Sequence, residues 1–212
     1  RRQRQMCIRD RNMALRNASP SFDHWLGTDK MGRDIFVRIL FGARISLAVG
    51  CLAAVINLIV GTIYGGIAGY VGGKVDMIMM RVVDIIYSVP SMLYIVLIML
   101  IFGASVVSIM LGISITCWID MARIVRQQVK SLKEQEFTMA AFVLGAGSSR
   151  ILLKHLLINT MGQIIVTVTL MVPQAIFTEA WLSFLGVGIS APMASWGTLA
   201  QDARELIMTY PR

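Results

Sequence analysis

The sequence predicts an all-α protein, a polytopic bundle of transmembrane helices, and three observations carry that class. The 212 residues are 56% hydrophobic and only 15% charged. Long charge-poor runs at that balance belong in a bilayer rather than in a soluble core. Glycines recur at four-residue intervals through the first such run, at Gly61, Gly65, Gly69 and Gly73. This is the small-xxx-small pattern that lets membrane helices approach closely. The cations gather between two apolar runs, at Arg123, Arg126, Lys130, Lys133, Arg150 and Lys154, which marks that end of the bundle as cytoplasmic. The net charge of +8 therefore reads as anchoring toward anionic headgroups. No basic-aromatic patch of the kind that grips nucleic acid accompanies it.

Residues 1–20 are basic and lack a sustained apolar pattern, so they are set apart as a leader outside the fold. Residues 21–44 form an interfacial segment on the outer side, where Thr28 or Asp29 can cap a helix carrying Ile35, Ile39 and Leu40. His24 with Asp23, Asp29 and Asp34 fits no standard metal-ligand spacing, and no metal site is assigned. The membrane domain then spans 45–189. Its first span is Ile45–Tyr70, which contains most of the glycine series. A Gly72-Gly73-Lys74 turn leads to the second, Val75–Phe102, where Pro90 should kink the helix. Arg81 and Asp84, three apart, can pair on one face. An ionisable group inside a membrane marks a functional site by default, so both are candidate pathway residues.

Gly103-Ala-Ser105 turns into the third span, Val106–Val129, where Asp120 lies three residues from Arg123. It either lines a pathway or neutralises Arg123, and the spacing favours neutralisation. The fourth span is Leu156–Phe184, with Pro173 inside it and Glu179 toward its far end; Glu179 is expected to face a cavity rather than lipid. Trp181 and Trp196 suit an interfacial aromatic belt. Cys51 and Cys117 lie in apolar runs and read as packing residues, and Cys7 stands alone. No grouping of catalytic residues appears, so the chain is not expected to be an enzyme.

Between the third and fourth spans lies the loop 130–155. Ser131 and Glu134 have the capping-box spacing that starts a helix. Phe137, Ala140, Ala141 and Leu144 then recur on one apolar face. Gly145 and Gly147 stop that helix, and Ser148 or Ser149 caps the next. A short helix and an elbow result. From these residues alone, the helix either lies on the lipid surface or docks on a partner.

The wording of this loop favours docking. Glu136, Ala140, Ala141 and Gly145 resemble the E-x-x-A-A-x-x-x-G loop of importer permeases in the ABC transporter superfamily. The run EFTMAAFVLGAGSSRILLKHLLIN is most similar to the dipeptide/oligopeptide/nickel branch. The segments HWLGTD-x-x-GRD-x-x-x-R at the start and SFLGVGISAPMASWGTLAQDAR at the end resemble the same branch. One departure is Ile158, where the family usually has proline.

The resemblance implies a multi-pass inner-membrane permease in which Glu136, Phe137, Ala140, Ala141, Leu144 and Gly145 form a cytoplasmic coupling helix seated on an ATPase subunit. It implies a second permease subunit, two ABC ATPase subunits that use ATP, and an external substrate-binding protein as partners, with membrane lipid around the spans and no cofactor bound by this chain. Peptides are favoured as substrate and nickel is the alternative. An ion-coupled carrier is a rival, but the chain lacks the internal repeats such carriers show. With the elbow inside, 1–44 and the loop 190–212 fall outside, and about four of about six expected spans are present.

Overall fold

The structure, a computed structural model, describes residues 15–185 and 194–206. Cys7, most of the basic leader and part of the closing loop lie outside the described residues. All regular elements described are helices, apart from an isolated bridge pairing Thr28 with Asp34.

Helix α1, Ile35–Ile56, passes through a π-helical turn, Asn57–Gly61, into α2, Thr62–Val71. Together they make a continuous helix of 37 residues. At 1.5 Å per residue that is about 55 Å, well beyond the roughly 30 Å hydrocarbon layer. It starts ten residues earlier than the apolar run suggests because Asp34 caps it, its Oδ1 accepting the Val37 N–H at 3.1 Å. Asp29 plays a different local part from the expected helix cap: its Oδ1 accepts the amides of Met31 and Arg33 at 2.8 and 2.9 Å and shapes the preceding turn.

Gly72 and Gly73 both take left-handed φ, +70° and +56°, and turn the chain into α3, Gly73–Tyr87. Pro90 then interrupts the second span, and α4 begins at Ser91 and runs to Phe102. The two helices are bent by 71°, a break rather than a mild kink. Proline removes a backbone donor and pushes the residue before it out of the helical region.

The third span is made of α5, Val106–Thr116, and α6, Ile119–Lys133. The short α7, Glu136–Val143, follows. A one-turn helix α8, Ser148–Arg150, runs through a second π-helical turn, Ile151–Leu156, into α9, Leu157–Phe184, which holds Pro173 within it. The last described helix is α10, Trp196–Leu206. Among the described residues, three helices are long and apolar enough to cross a membrane, and up to four with the bent pair counted as one span.

The chain divides into two compact units. One comprises residues 1–49, 104–106 and 176–212; the other comprises 50–103 and 107–175. In the first, an ionic network organises the turn before α1. Arg33 Nε and Arg38 Nη1 lie 2.7 and 2.8 Å from Asp29 Oδ2, and the same Arg38 nitrogen reaches Asp202 of α10 at 2.9 Å. Gly197 lets α10 close onto Ala180: a Cβ at this glycine would sit 2.6 Å from the Ala180 Cα. Trp196 donates its indole N–H to the Ile39 carbonyl at 3.3 Å, and Trp181 stacks on Phe184.

In the second unit, Met121, Val125, Val129, Ala141, Ile151, Leu156 and Ile164 form a buried apolar core. The core sits where α6, the elbow and the start of the last long helix meet, so it fixes the elbow's position.

Candidate functional site

Helix α6 has two unlike faces. Met121, Ala122, Val125 and Val129 are wholly buried. They lie at helical spacing and meet the glycines of the first span. A Cβ on Gly61 would stand 2.6 Å from Met121 Cβ, one on Gly65 2.9 Å from Ala122 Cα, and one on Gly69 2.7 Å from the Arg126 carbonyl oxygen. Real Cβ atoms do not approach so closely, so only glycine fits at these three positions. Gly73 does not belong with them. Nothing lies within 4 Å of where its Cβ would be, and its role is the left-handed turn.

The other face of α6 is polar and bound by charge to α3. Asp76 is nearly buried and takes Arg126 through both carboxylate oxygens, with Arg126 Nη2 at 2.6 Å from Oδ2, and Lys130 at 3.4 Å. Sequence reading missed this pair. Its available signal was Arg126 and Lys130, one turn apart on the helix that ends at the elbow. Higher on the same two helices, Arg123 Nη2 lies 2.9 Å from Asp84 Oδ1, and its guanidinium sits over the Tyr87 ring at 4.2 Å.

Both short-range pairings expected from spacing are thereby corrected. Arg81 does not pair with Asp84, and Asp120 does not neutralise Arg123. Asp84 instead takes Arg123 across from α6, and Arg123 is held by Asp84 and the Tyr87 ring rather than by Asp120. Arg81 and Asp120 are exposed and make no ion pair among the described residues. Glu179 is likewise corrected. It does not line an open cavity of this chain but is completely buried, accepting hydrogen bonds from Ser46 Oγ at 2.9 Å and Ser183 Oγ at 2.8 Å.

The elbow is built as follows. Helix α6 runs through Ser131 to Lys133, so the Ser131–Glu134 spacing lies in and just after its last turn and caps nothing. Gln135, with extended backbone, precedes α7. Thr138 Oγ1 donates to the Leu132 carbonyl at 2.8 Å and ties α7 to the end of α6. Gly145 takes φ +78°, and its amide bonds to the Phe142 carbonyl at 3.0 Å while the Ala146 amide reaches Ala141 at 3.1 Å. This is a left-handed helix stop. Gly147, not a serine, stands at the start of α8.

The face of α7 is also revised. Ala141 is 8% exposed and belongs to the buried core, so it anchors the helix rather than facing outward. Glu136, Phe137 and Ala140 are exposed. So are Phe142, Val143 and Leu144, at 72%, 83% and 86%. Three consecutive apolar side chains stand open at the tip of the elbow. A surface that apolar is costly to leave in water and fits an apolar partner groove.

Apolar spans packed on glycine, with a basic end closed by a helix-elbow-helix, define a polytopic integral membrane protein. The chain belongs to a family of binding-protein-dependent transport system inner membrane components, whose sequence model matches residues 61–208. It is 52% identical over 200 residues to the oligopeptide transport system permease protein OppC of Bacillus subtilis (strain 168), covering 94% of this chain and 66% of that protein. It is 50% identical over 198 residues to the dipeptide transport system permease protein DppC of the same organism, covering 93% of this chain and 62% of that protein. Identity to OppC of Escherichia coli (strain K12) is 42% over 209 residues, 98% of this chain and 69% of that protein. The chain thus spans just under two thirds of the length of the two Bacillus relatives. The family is one of transport components rather than a class of enzymes.

Proposed function

We propose that this chain is part of the permease subunit of an ATP-driven importer of peptides, and that its elbow couples the membrane spans to an ATPase subunit. The observation that carries the coupling role is the outward apolar tip at Phe142, Val143 and Leu144, backed by a helix pinned at Thr138 and Ala141. A loop that merely rests at the membrane surface has no need of a rigid backing, whereas a part that transmits force does. Peptide as substrate is supported by the names of the similar permeases. The complete transporter would pair the chain with a second permease subunit, two ATPase subunits and an external binding protein.

In this reading the chain breaks no bond itself and binds no ATP. Closure of the ATPases displaces the seated elbows. A two-state pathway is biased by the difference in their binding energy between the states. Glu136, Phe137, Ala140 and Leu144 join the seated surface, and Gly145 holds the bend.

The test is ATP-dependent uptake of a labelled dipeptide by the complete complex in proteoliposomes, beside its ATPase rate. Gly145→Asp replaces the glycine that takes the left-handed φ of the helix stop, and Val143→Arg puts charge on the tip. Each variant should assemble and hydrolyse ATP while losing most uptake. Wild-type uptake by both variants would refute the coupling role, and a wild-type complex that moves no peptide would refute the substrate.

A further inference from the structure

The polar face of α6 holds a charge that the interhelical pairs leave over. Asp120, Arg123, Gln127, Lys130 and Glu134 follow one another at alternating three- and four-residue steps, so they share one side of the helix. The opposite side is sealed in the core at Met121, Ala122, Val125 and Val129. This polar side lies within a helix long and apolar enough to cross the bilayer. Facing lipid, such a row of ionisable groups would be costly; groups of this kind look onto protein or water.

The cations of the row are already matched. Arg123 has Asp84 and the Tyr87 ring, and Lys130 shares Asp76 with Arg126. Asp120 alone among the row's deeper members keeps an exposed carboxylate with no ion pair among the described residues. It lies 13 residues before the end of α6 at Lys133, about 20 Å along the helix from the elbow.

We infer that Asp120 lines the water-filled passage and receives the terminal ammonium group of a peptide in transit. The inference rests on the importer reading above and adds a residue that reads the substrate. Peptides differ in every side chain, but each unblocked one carries the same cationic amino terminus. A lone carboxylate on a polar wall recognises that shared group by charge and hydrogen bonding. It thereby holds the substrate on the pathway while tolerating any sequence.

The experiment uses the complete reconstituted transporter with binding protein saturated by a dipeptide bearing a free amino terminus. Asp120→Asn should lower the turnover of uptake about tenfold, with little change in the half-saturating concentration of loaded binding protein; Asp120→Glu should recover most of the loss. In a background where Cys7, Cys51 and Cys117 are alanine, the Asp120→Cys thiol should react with a water-soluble, membrane-impermeant reagent, and saturating dipeptide-loaded binding protein with ATP should slow that reaction. A purely structural role at the helix start would not produce such protection. Wild-type turnover in Asp120→Asn would overturn the inference, as would a thiol unreactive in every nucleotide state, which would place the position against the second permease. Absence of ATP-dependent uptake by the wild-type complex would instead overturn the importer reading itself.

Discussion

Adjacent glycines on α2 offer a test of the packing in which most other variables cancel. A Cβ at Gly65 would meet the Ala122 backbone, with Cα at 2.9 Å and the carbonyl carbon at 3.0 Å. Backbone cannot rotate out of the way, so the two helices must separate. A Cβ at Gly66 would find only two leucine methyls, Leu157 Cδ2 at 3.6 Å and Leu152 Cδ1 at 3.8 Å, which is ordinary contact. Both substitutions to alanine gain the same helix-propensity term of about 0.5–1 kcal/mol. The difference between them is therefore the overpacking cost alone, about 1–3 kcal/mol. For a chain of this size a change of 1 kcal/mol moves the midpoint by roughly 2–4 °C. Gly65→Ala should then melt about 2–12 °C below Gly66→Ala, followed by circular dichroism in the same detergent. Equal midpoints would show that α2 and α6 are not in close contact at Ala122, and the account of the glycine series would fall with them.

The remaining predictions concern two buried carboxyl side chains in the first unit. Glu179→Gln keeps one oxygen to accept from one serine and offers an amide N–H to the other, whose hydroxyl can turn to accept it, and should leave the thermal midpoint almost unchanged, whereas Glu179→Leu strands both hydroxyls and should cost about 1–3 kcal/mol; matching midpoints for the two variants would contradict the hydrogen-bonded role. At Asp29, burial pushes the carboxyl up. The amides of Arg33 and Met31 and the Arg33 guanidinium outweigh burial and hold it below its ordinary value of 3.8. A carboxyl depressed in the folded state contributes stability that is complete above that ordinary value and is lost as the pH falls through the lower folded one. Proteolysis near residues 15–38 should accordingly accelerate only below about pH 3.8 in the wild type. In Asp29→Asn, where Arg33 and Arg38 lose their shared anion, it should be fast at neutral pH. A pH-independent wild-type profile would refute the assignment.

Much of the bundle was legible because its signals are local. Apolar runs gave the spans, and Pro90 gave the break. The four-residue glycine period gave the face of α2 that meets α6, and Gly145 gave the helix stop. Failures came where a local rule met a tertiary competitor. The i,i+3 spacings of Arg81–Asp84 and Asp120–Arg123 are favourable within a single helix by only a few tenths of a kcal/mol. A neighbouring helix that offers a better-placed partner decides the outcome, as Asp84 does for Arg123. Ser131 and Glu134 fit a capping box, but α6 had not ended. Ala141 shared the apolar period of α7, and periodicity cannot say whether an apolar side turns to the core or away from it. Phe142, Val143 and Leu144 could not be assigned to the tip until the direction of Ala141 was known.

In the importer reading proposed above, α6 would act as a lever rather than as one span among equals. Its apolar face is locked to α2 at glycine contacts that permit almost no slack. Its polar face is tied to α3 at two heights, by Asp76 and by Asp84. Its lower end continues into α7 through the Thr138–Leu132 hydrogen bond. A displacement applied at Phe142, Val143 and Leu144 cannot be absorbed by bending of α7, which is only two turns long and anchored at Ala141. It must pass to α6, and from α6 to both neighbours together. In the importer reading proposed above, the same connections put Asp120 on the helix that the elbow would move. A force delivered at the elbow would thus reach the carboxylate proposed to hold the substrate through a single continuous helix.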